Sequence, residues 1–403
     1  MEKKTKILLE HVPHSLNYGT TMMAINFINF FKDKNVDIFL DTQNIEDISR
    51  LKESCEYSNI YKDSFFKRRK NKFIRIFYKL FIQPFVLRKY DYIFILGGDD
   101  LSEYYGRLLF FINALSMMMY SQKRKRLFLL GQSVGPFTGI NKLIAKILIK
   151  NSNLYTRDTY CSEYLRNNLK INYFKEMKDL AFLDLPFQKN ERIDILNKYN
   201  LEESKYISIV PSGLYKSYTL NYNTYLKNWI QVIETLLENY PKEKILLLAH
   251  VVSSDSSSDI NIIEDIYSSI SFEKRKQIVK IITPILPVEA RYLLGNSIYT
   301  ITGRMHAAVS TFQMYKPAIS LSYSIKYKGV IGDLGRSDLI IEASNNSIWE
   351  KYLVKEKILD KIKYLKENYT NIIKEIKESI DITKKEVEKN LNEIKEILKR
   401  NEK

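Results

Sequence analysis

Short apolar runs alternate with longer stretches that are apolar at helical spacing, and the alternation continues through most of the chain. In the first half the short runs are KILLEHV, VDIFLDT, YDYIFILGG, RLFLLGQ and NLYTRD. In the second half they are YISIVPS, KILLLAH, KIITPI, SIYTIT, AISLSY and DLIIEA. Most are continuous rather than alternating, the pattern of strands buried on both faces of a parallel sheet. Segments such as TTMMAINFINFFKDKN and YLKNWIQVIETLLENY carry apolar residues at the spacing of a helix with one buried side. Strand and helix in alternation build βαβ units, so the predicted class is α/β with parallel sheets.

The series occurs twice. The first ends near Asp184-Leu185-Pro186, the polar stretch QKNERIDILNKYNLEESK intervenes, and the second begins at Tyr206. This predicts a Rossmann-like domain over 1–190, a second over 205–340, and a helical extension over 345–403. The extension is rich in Lys and Glu and has neither Gly nor Pro; it reads as one or two exposed helices with a frayed tail. Ile372, Ile373, Ile376 and Ile380 give part of it a packing face.

The unusual residues cluster where predicted strands end. HSLNYGTT, GGDDLSEYYG, GQSVGPF, SGLYKS, HVVSSDSSSD, GRMHA and YSIKYKG each follow an apolar run. Open α/β sheets bind ligands beyond the carboxyl ends of their strands. Two such sheets facing a cleft would make a GT-B-like enzyme.

The turn ITGRMHAAVS carries the most chemistry. A helix is predicted from 305 to 315, ended by Lys316-Pro317. Its first turn offers unbonded N–H groups and the positive end of the helix dipole. Arg304 adds a planar fork suited to phosphate or carboxylate, and His306 can exchange a proton near neutral pH. A histidine at a helix start also serves as a plain local hydrogen-bonding group. Lys326 follows the next strand and can reach the same anion, with Lys328 a weaker candidate; a lone lysine in a basic chain is otherwise a solvated charge. His250 and Asp255 follow a neighbouring strand, in a serine run that reads either as a loop or as a sugar-binding lip. Gly97, Gly98 and the glycines of GQSVGP permit close backbone approach to a ligand, or simply tight turns. Asn17 and Gly19 open the first helix.

Composition narrows the classes. A length of 403 residues suits two ordinary domains, and 45% hydrophobic with 27% charged residues is normal for a soluble globular chain. Cys55 and Cys161 make no disulfide framework and suggest a reducing compartment or indifference to redox, and no metal-ligand spacing is present. The N-terminus lacks the apolar length of a signal peptide, and no stretch is long enough to cross a bilayer, so a cytoplasmic protein is expected. The net charge of +16 implies an anionic partner. No recognised nucleic-acid motif accompanies it, so nucleic acid is not expected. The segment 65–90, FFKRRKNKFIRIFYKLFIQPFVLRKY, interleaves basic and aromatic residues and is broken by Pro84. It suits either the inner face of an anionic membrane, with Lys67, Arg68, Arg69 and Lys70 as contacts, or a solvated helix over the first core.

Together, NYGTTMMA, YDYIFILGGDD, GQSVGPF, YTRDTYCSEYL, KDLAFL, LLLAHVVSSDS, ITGRMHAAVSTFQMYKPAISLSY and SIKYKGVIGDLG resemble the polysaccharide pyruvyl transferase family, in family order from about residue 15 to 335. The resemblance implies a GT-B-like fold, with 1–190 the acceptor side and 205–340 the donor side. It implies transfer of the pyruvyl group of phosphoenolpyruvate to two hydroxyls of a sugar, on a polysaccharide or lipid-linked glycan precursor, with release of phosphate. It makes Arg304 a partner of the donor's anionic groups, His306 the general acid and Lys326 a donor-site residue. Tyr323, Ser212, His250, Gly97, Gly98, Asn17 and Gly19 complete the expected substrate-binding set. Many members carry an arginine near the start of the second domain; here IVPSGLYKSY offers Lys216, a point charge rather than a fork.

The chemistry needs no metal or redox cofactor: a proton delivered to the methylene of the enol makes its neighbour electrophilic. A nucleotide-sugar glycosyltransferase of the same architecture is the alternative, with Glu289 its nearest acid, which also reads as a helix N-terminal carboxylate. A binding protein without turnover is a third reading. A homo-oligomer is compatible with all three.

Overall fold

A computed structural model describes residues 4–401, apart from residues 11, 13, 43, 64–71, 105, 122–125 and 190–193. Lys67, Arg68, Arg69 and Lys70, expected as membrane contacts, lie outside the described residues. The chain divides into two units: Met1–Ser15, Met23–Leu180 and Lys385–Lys403 in one, Leu16–Met22 and Ala181–Lys384 in the other. Two short segments thus belong to the unit opposite to their neighbours in sequence. The linear division into 1–190, 205–340 and 345–403 contains neither exchange.

In the first unit seven strands are all parallel: β1 (Thr5–Glu10), β2 (Val36–Leu40), β3 (Ile60–Lys62), β4 (Tyr92–Leu101), β5 (Leu127–Val134), β6 (Asn153–Thr156) and β7 (Lys175–Glu176). Their order is β3-β2-β1-β4-β5-β6-β7. The central strands are buried on both sides, which explains why they read as unbroken apolar runs. β3 and β7 escaped the sequence reading because they are edge strands of three and two residues, mostly exposed, with no apolar run to announce them. Leu8, Ile93, Ile95, Leu127 and Leu129 of the sheet form one core with Phe110, Ala114 and Met117 of the helix Arg107–Tyr120 and with Ile144, Leu148 and Ile149 of the helix Ile140–Asn151.

The second unit holds six parallel strands: β8 (Tyr206–Val210), β9 (Lys244–Leu248), β10 (Ile278–Ile281), β11 (Thr300–Thr302), β12 (Ala318–Ser322) and β13 (Ile340–Glu342). They stand in the order β10-β9-β8-β11-β12-β13. The order reverses beside β8, the kind of switch point where open sheets bind ligands. The class is the expected one: two parallel sheets with flanking helices and a helical C-terminal extension, GT-B-like.

The extension differs from expectation in form. It holds a short helix, Asn346–Glu350, and a single long one, Val354–Asn401, of 48 residues, about 72 Å long. It is not an exposed appendage: Ile358, Ile362, Leu365, Ile372, Ile376 and Ile380 are buried within the second unit, and Val387, Leu391, Ile394 and Leu398 within the first. Spacings of three and four residues put all of them on one stripe. The charged positions between them made the sequence look solvated. Among the described residues no helix is long and apolar enough to cross a membrane. Both cysteines are buried free thiols, and burial pushes Cys55 up to about 12.

Candidate active site

The geometry around Arg304 and His306 belongs to the second unit. β11 ends at Thr302, and Thr302 Oγ1 accepts the Arg304 N–H at 2.7 Å, closing the turn before the helix Met305–Gln313. The helix stops two residues short of the expected end, and Tyr315 takes a left-handed φ of 62° to turn into Lys316-Pro317. Gly303 is required by crowding. A side-chain carbon there would lie 2.9 Å from Tyr218 Oη and 3.1 Å from Ser212 Cβ. Its carbonyl accepts two phenol hydroxyls, Tyr218 at 2.5 Å and Tyr327 at 2.6 Å. Both tyrosines are wholly buried, and burial raises both phenol pKa values far above the ordinary value. They remain donors at any working pH. Tyr225 and Trp349 pack beside Tyr218, with ring centroids 5.6 Å away in each case. A floor of aromatic rings therefore fixes the turn from which Arg304 and His306 project.

Arg304 does not simply face outward. Its Nε and Nη2 donate to one oxygen of Asp259 at 3.0 and 2.6 Å, and Nη2 also reaches the Ser257 carbonyl. Burial works against the guanidinium's charge, but Asp259 outweighs it, and its pKa stands above the ordinary value. Nη1 has no hydrogen-bond partner among the described residues, and the side chain keeps 12% of its surface exposed. One nitrogen, not the whole fork, is left for a ligand.

Asp259 is the group that sequence reading missed. It is fully buried and accepts five hydrogen bonds: two from Arg304, one from the Gly213 N–H at 2.8 Å, and two from the N–H groups of His250 and Val251 at 3.1 and 2.9 Å. One carboxylate thus ties together the loops after β8, β9 and β11. Its position before the apolar helix Ile260–Ser269 reads as an N-cap, but it makes no cap hydrogen bond and turns back under the loops. Asp255, singled out in its place, organises its own loop by accepting from the Ser257 N–H and hydroxyl at 2.8 and 2.5 Å.

The segment Leu16–Met22 docks on the loop after β9. Asn17 bridges Val251 in antiparallel fashion, the Val252 N–H donates to Leu16 at 2.9 Å and the Tyr18 N–H donates to His250 at 3.2 Å. This brings Gly19 against His306. A side-chain carbon at Gly19 would fall 2.5 Å from His306 Nδ1, so only glycine lets the imidazole lie where it does. Gly19, Asn17, His250, Arg304 and His306 are therefore gathered at one end of the sheet. The His250 ring is buried, edge-on to Tyr18 at 5.6 Å, and its Nε2 finds no hydrogen-bond partner among the described residues. Burial first, then the charges of His306, Arg304 and Arg291, hold its pKa well below the ordinary value. His250 is a neutral support.

Lys326 opens the helix Lys326–Val330, half-buried, with Nζ 5.7 Å from the Tyr323 ring. Tyr323 in turn stacks edgewise on Tyr218 at 5.3 Å and on Tyr327 at 5.4 Å, so Lys326 flanks the same aromatic floor. Lys328 pairs with Glu342 at 3.0 Å instead. Ser212, expected at the substrate, is fully buried; its hydroxyl accepts the Leu214 N–H at 3.2 Å. Lys216 is exposed over the Tyr215 ring at 5.9 Å and joins none of these contacts. Gly97 and Gly98 lie in the first unit, where added carbons would meet Met23 Sδ at 2.8 Å and Asp100 Oδ2 at 2.9 Å. Glu289 accepts the Leu286 N–H at 2.6 Å and is a helix N-terminal acid. No cluster of metal-ligating side chains occurs among the described residues. A hollow of about 1000 Å³ along the C-terminal helix shares no residue with this site; it is an open trough of alternating Lys and Glu, with Lys175 and Glu393 paired at 2.5 Å.

A second element sequence reading passed over is Arg291, on the helix Pro287–Gly295. It is fully buried and donates to the carbonyls of Leu183 at 2.8 Å and Ala181 at 2.6 Å and to Gln188 Oε1 at 3.1 Å. Its place in the apolar-looking run LPVEARYLL could have flagged it, since a buried arginine there must be held by fixed acceptors.

A family model described as polysaccharide pyruvyl transferase matches residues 17–325. No curated protein matches the chain significantly. Among solved structures, UDP-GlcNAc 2-epimerase from Neisseria meningitidis bound to UDP-GlcNAc is similar with a TM-score of 0.62 at 12% identity, over 98% of this chain and 100% of that one. UDP-GlcNAc 2-epimerase from Methanocaldococcus jannaschii in complex with UDP-GlcNAc and UDP gives 0.55 at 14% identity, over 90% of this chain and 99% of that one. At such identities the likeness is one of fold.

Proposed function

The chain belongs to the polysaccharide pyruvyl transferase family, and on that premise we propose that it transfers the pyruvyl group of phosphoenolpyruvate to two hydroxyls of a sugar in a polysaccharide or lipid-linked glycan precursor. The observation that carries the reading is the setting of His306: on the first turn of a helix, against Gly19, and two residues after Arg304 on a turn whose Gly303 carbonyl is held by two buried phenols. His306 donates a proton to the methylene carbon, which becomes a methyl group. A first sugar hydroxyl bonds to the neighbouring carbon and gives up its proton to His306, which is thereby restored. The carbon–oxygen bond to phosphate then breaks, and a second hydroxyl closes the ketal, its proton going with the phosphate. Arg304 Nη1, Lys326 and the helix N-terminus supply the positive charge that a carboxylate and a phosphate require. Asp259 and His250 take no part in bond making; they hold Arg304 and the loop that carries residues 16–19.

The test is incubation with phosphoenolpyruvate and a panel of glycans, following phosphate release and the mass of the glycan. Release coupled to one added pyruvyl ketal, lost in His306→Ala, is expected. Phosphate release with no change in glycan mass would defeat the reading. The second reading, nucleotide-sugar transfer, draws on structural neighbours whose complexes contain UDP-GlcNAc. Thermal stabilisation by UDP but not by phosphoenolpyruvate would favour it.

A further inference from the structure

The first unit carries a surface that this chemistry does not use. The helical run 72–89 places Phe73, Phe77, Phe81 and Phe85 at intervals of four residues, one face of a helix, and that face is turned to solvent: Phe77, Phe81 and Phe85 are 57%, 56% and 60% exposed. Burial of a helix's apolar stripe is the rule for a globular protein, and here it is reversed. The Phe77 and Phe81 rings are 5.0 Å apart, and Arg88 lies 4.7 Å over the Phe85 ring.

The two neighbouring helices repeat the pattern. Arg107–Tyr120 packs beside this run, and the Ser116 hydroxyl donates to the Lys79 carbonyl at 2.8 Å. Its inward side chains join the sheet core, while Leu108 and Met119 stand exposed. Ile140–Asn151 packs on that helix in turn, buries Ile144 and Leu148 in the same core, and exposes Ile140 and Leu143. All three helices therefore cover one face of one sheet, with apolar side chains on their outer sides.

Charge makes this face one-signed. The segments 72–89, 107–120 and 140–151 contain no Asp or Glu and nine Lys and Arg. Glu103, just ahead of the second helix, pairs with Arg107 at 3.9 Å. Arg75, Arg88 and Lys142 are exposed among the apolar residues.

We propose that this three-helix face docks on the surface of an anionic bilayer, lying in the interface without crossing it. Large apolar side chains ringed by cations, on helices that themselves carry no Asp or Glu, suit a layer of acyl chains beneath acidic headgroups. A second copy of the chain suits it poorly, because self-association of the face would oppose like charges. The proposal is independent of the reaction proposed above.

The test is sedimentation of the full chain with vesicles of phosphatidylcholine alone or mixed with phosphatidylglycerol. Binding to the mixed vesicles, at least about tenfold stronger than to the neutral ones, is expected. Phe77→Ser/Phe81→Ser/Phe85→Ser and Arg75→Glu/Arg88→Glu/Lys142→Glu should each weaken it at least about tenfold. Their unchanged melting temperatures would show the fold intact, since every substituted residue is exposed. Absence of binding to the acidic vesicles overturns the proposal, as does binding indifferent to both sets of substitutions. So does a dimer that the phenylalanine variant dissociates in a protein that ignores vesicles.

Discussion

Replacing Asp259 by Asn changes almost nothing in shape and removes what the carboxylate does. Of its five hydrogen bonds, the three to Gly213 and Arg304 fall on one oxygen and the two from His250 and Val251 on the other. An amide can keep the first set with its oxygen. Its NH₂ then faces two N–H groups, which lose their acceptor; each buried orphan costs about 1–3 kcal/mol. Arg304 also loses its counter-charge, and removing one partner of a buried pair costs about 3–5 kcal/mol. The pair is 12% and 0% exposed, so solvent screening gives little relief. The two penalties overlap, so the pair term alone, about 4 kcal/mol, is taken as the lower bound of the loss. For a unit of this size about 1 kcal/mol moves the melting temperature by roughly 2–4 °C, so the second unit should melt roughly 8–16 °C lower. Calorimetry on the full chain measures this, and amide exchange at Gly213, His250 and Val251 localises it. Asp259→Asn/Arg304→Gln should recover part of the loss through coupling. A fall below about 3 °C with protection at those three amides intact would refute the idea that Asp259 ties the loops together.

Gly19→Ala puts a carbon 2.5 Å from His306 Nδ1 and must move the imidazole; turnover should fall about a hundredfold with the fold retained, read as kcat beside a melting curve. The folded His250 titrates far below its unfolded value, so below pH of about 6.5 the unfolded chain binds a proton that the folded one refuses, and stability falls as pH falls, by about 1.4 kcal/mol per unit. Denaturant titrations between neutral and mildly acidic pH should show this slope in the native chain and lose it in His250→Gln. Truncation after Lys384 removes the buried Val387, Leu391, Ile394 and Leu398 and the acceptor of the Tyr92 hydroxyl; at about 1.5–3 kcal/mol a side chain, the roughly 6–12 kcal/mol lost rivals the whole stability of a domain. Circular dichroism should show the first unit largely unfolded.

Much of the fold was legible because parallel strands buried on both faces leave continuous apolar runs that little else imitates. The edge strands of the first sheet, β3 and β7, left no such trace. The C-terminal helix shows the limit of composition: one buried position in three or four suffices for packing, and the intervening Lys and Glu dominate the count. Arg304, His306 and Gly19 were legible because a charged or tiny residue between a strand and a helix has few structural uses. Asp259 was not, because an acid before an apolar helix already has a local explanation. The phenols of Tyr218 and Tyr327 were hidden among 29 tyrosines, and no local pattern marks a hydroxyl aimed at a distant carbonyl. Ser212 drew notice as a strand-end hydroxyl, yet its neighbour Leu214 satisfies it.

The charge of the chain and the charge of the site are separate matters. Exposed lysines and arginines act through water, screened within about 8–10 Å at ordinary salt, and cannot by themselves select a small dianion. Arg291 and Arg304 are fixed inside the second unit, where the field is weakly screened. His250 registers that field: after burial, the charges of His306, Arg304 and Arg291 are what keep it from protonating. The carbonyls of Ala181 and Leu183 and the carboxylate of Asp259 let the two guanidiniums be buried at all, because a buried charge without fixed acceptors would be expelled or neutralised. The charge that counts at these strand ends therefore depends less on the number of basic residues in the sequence than on where two of them are held.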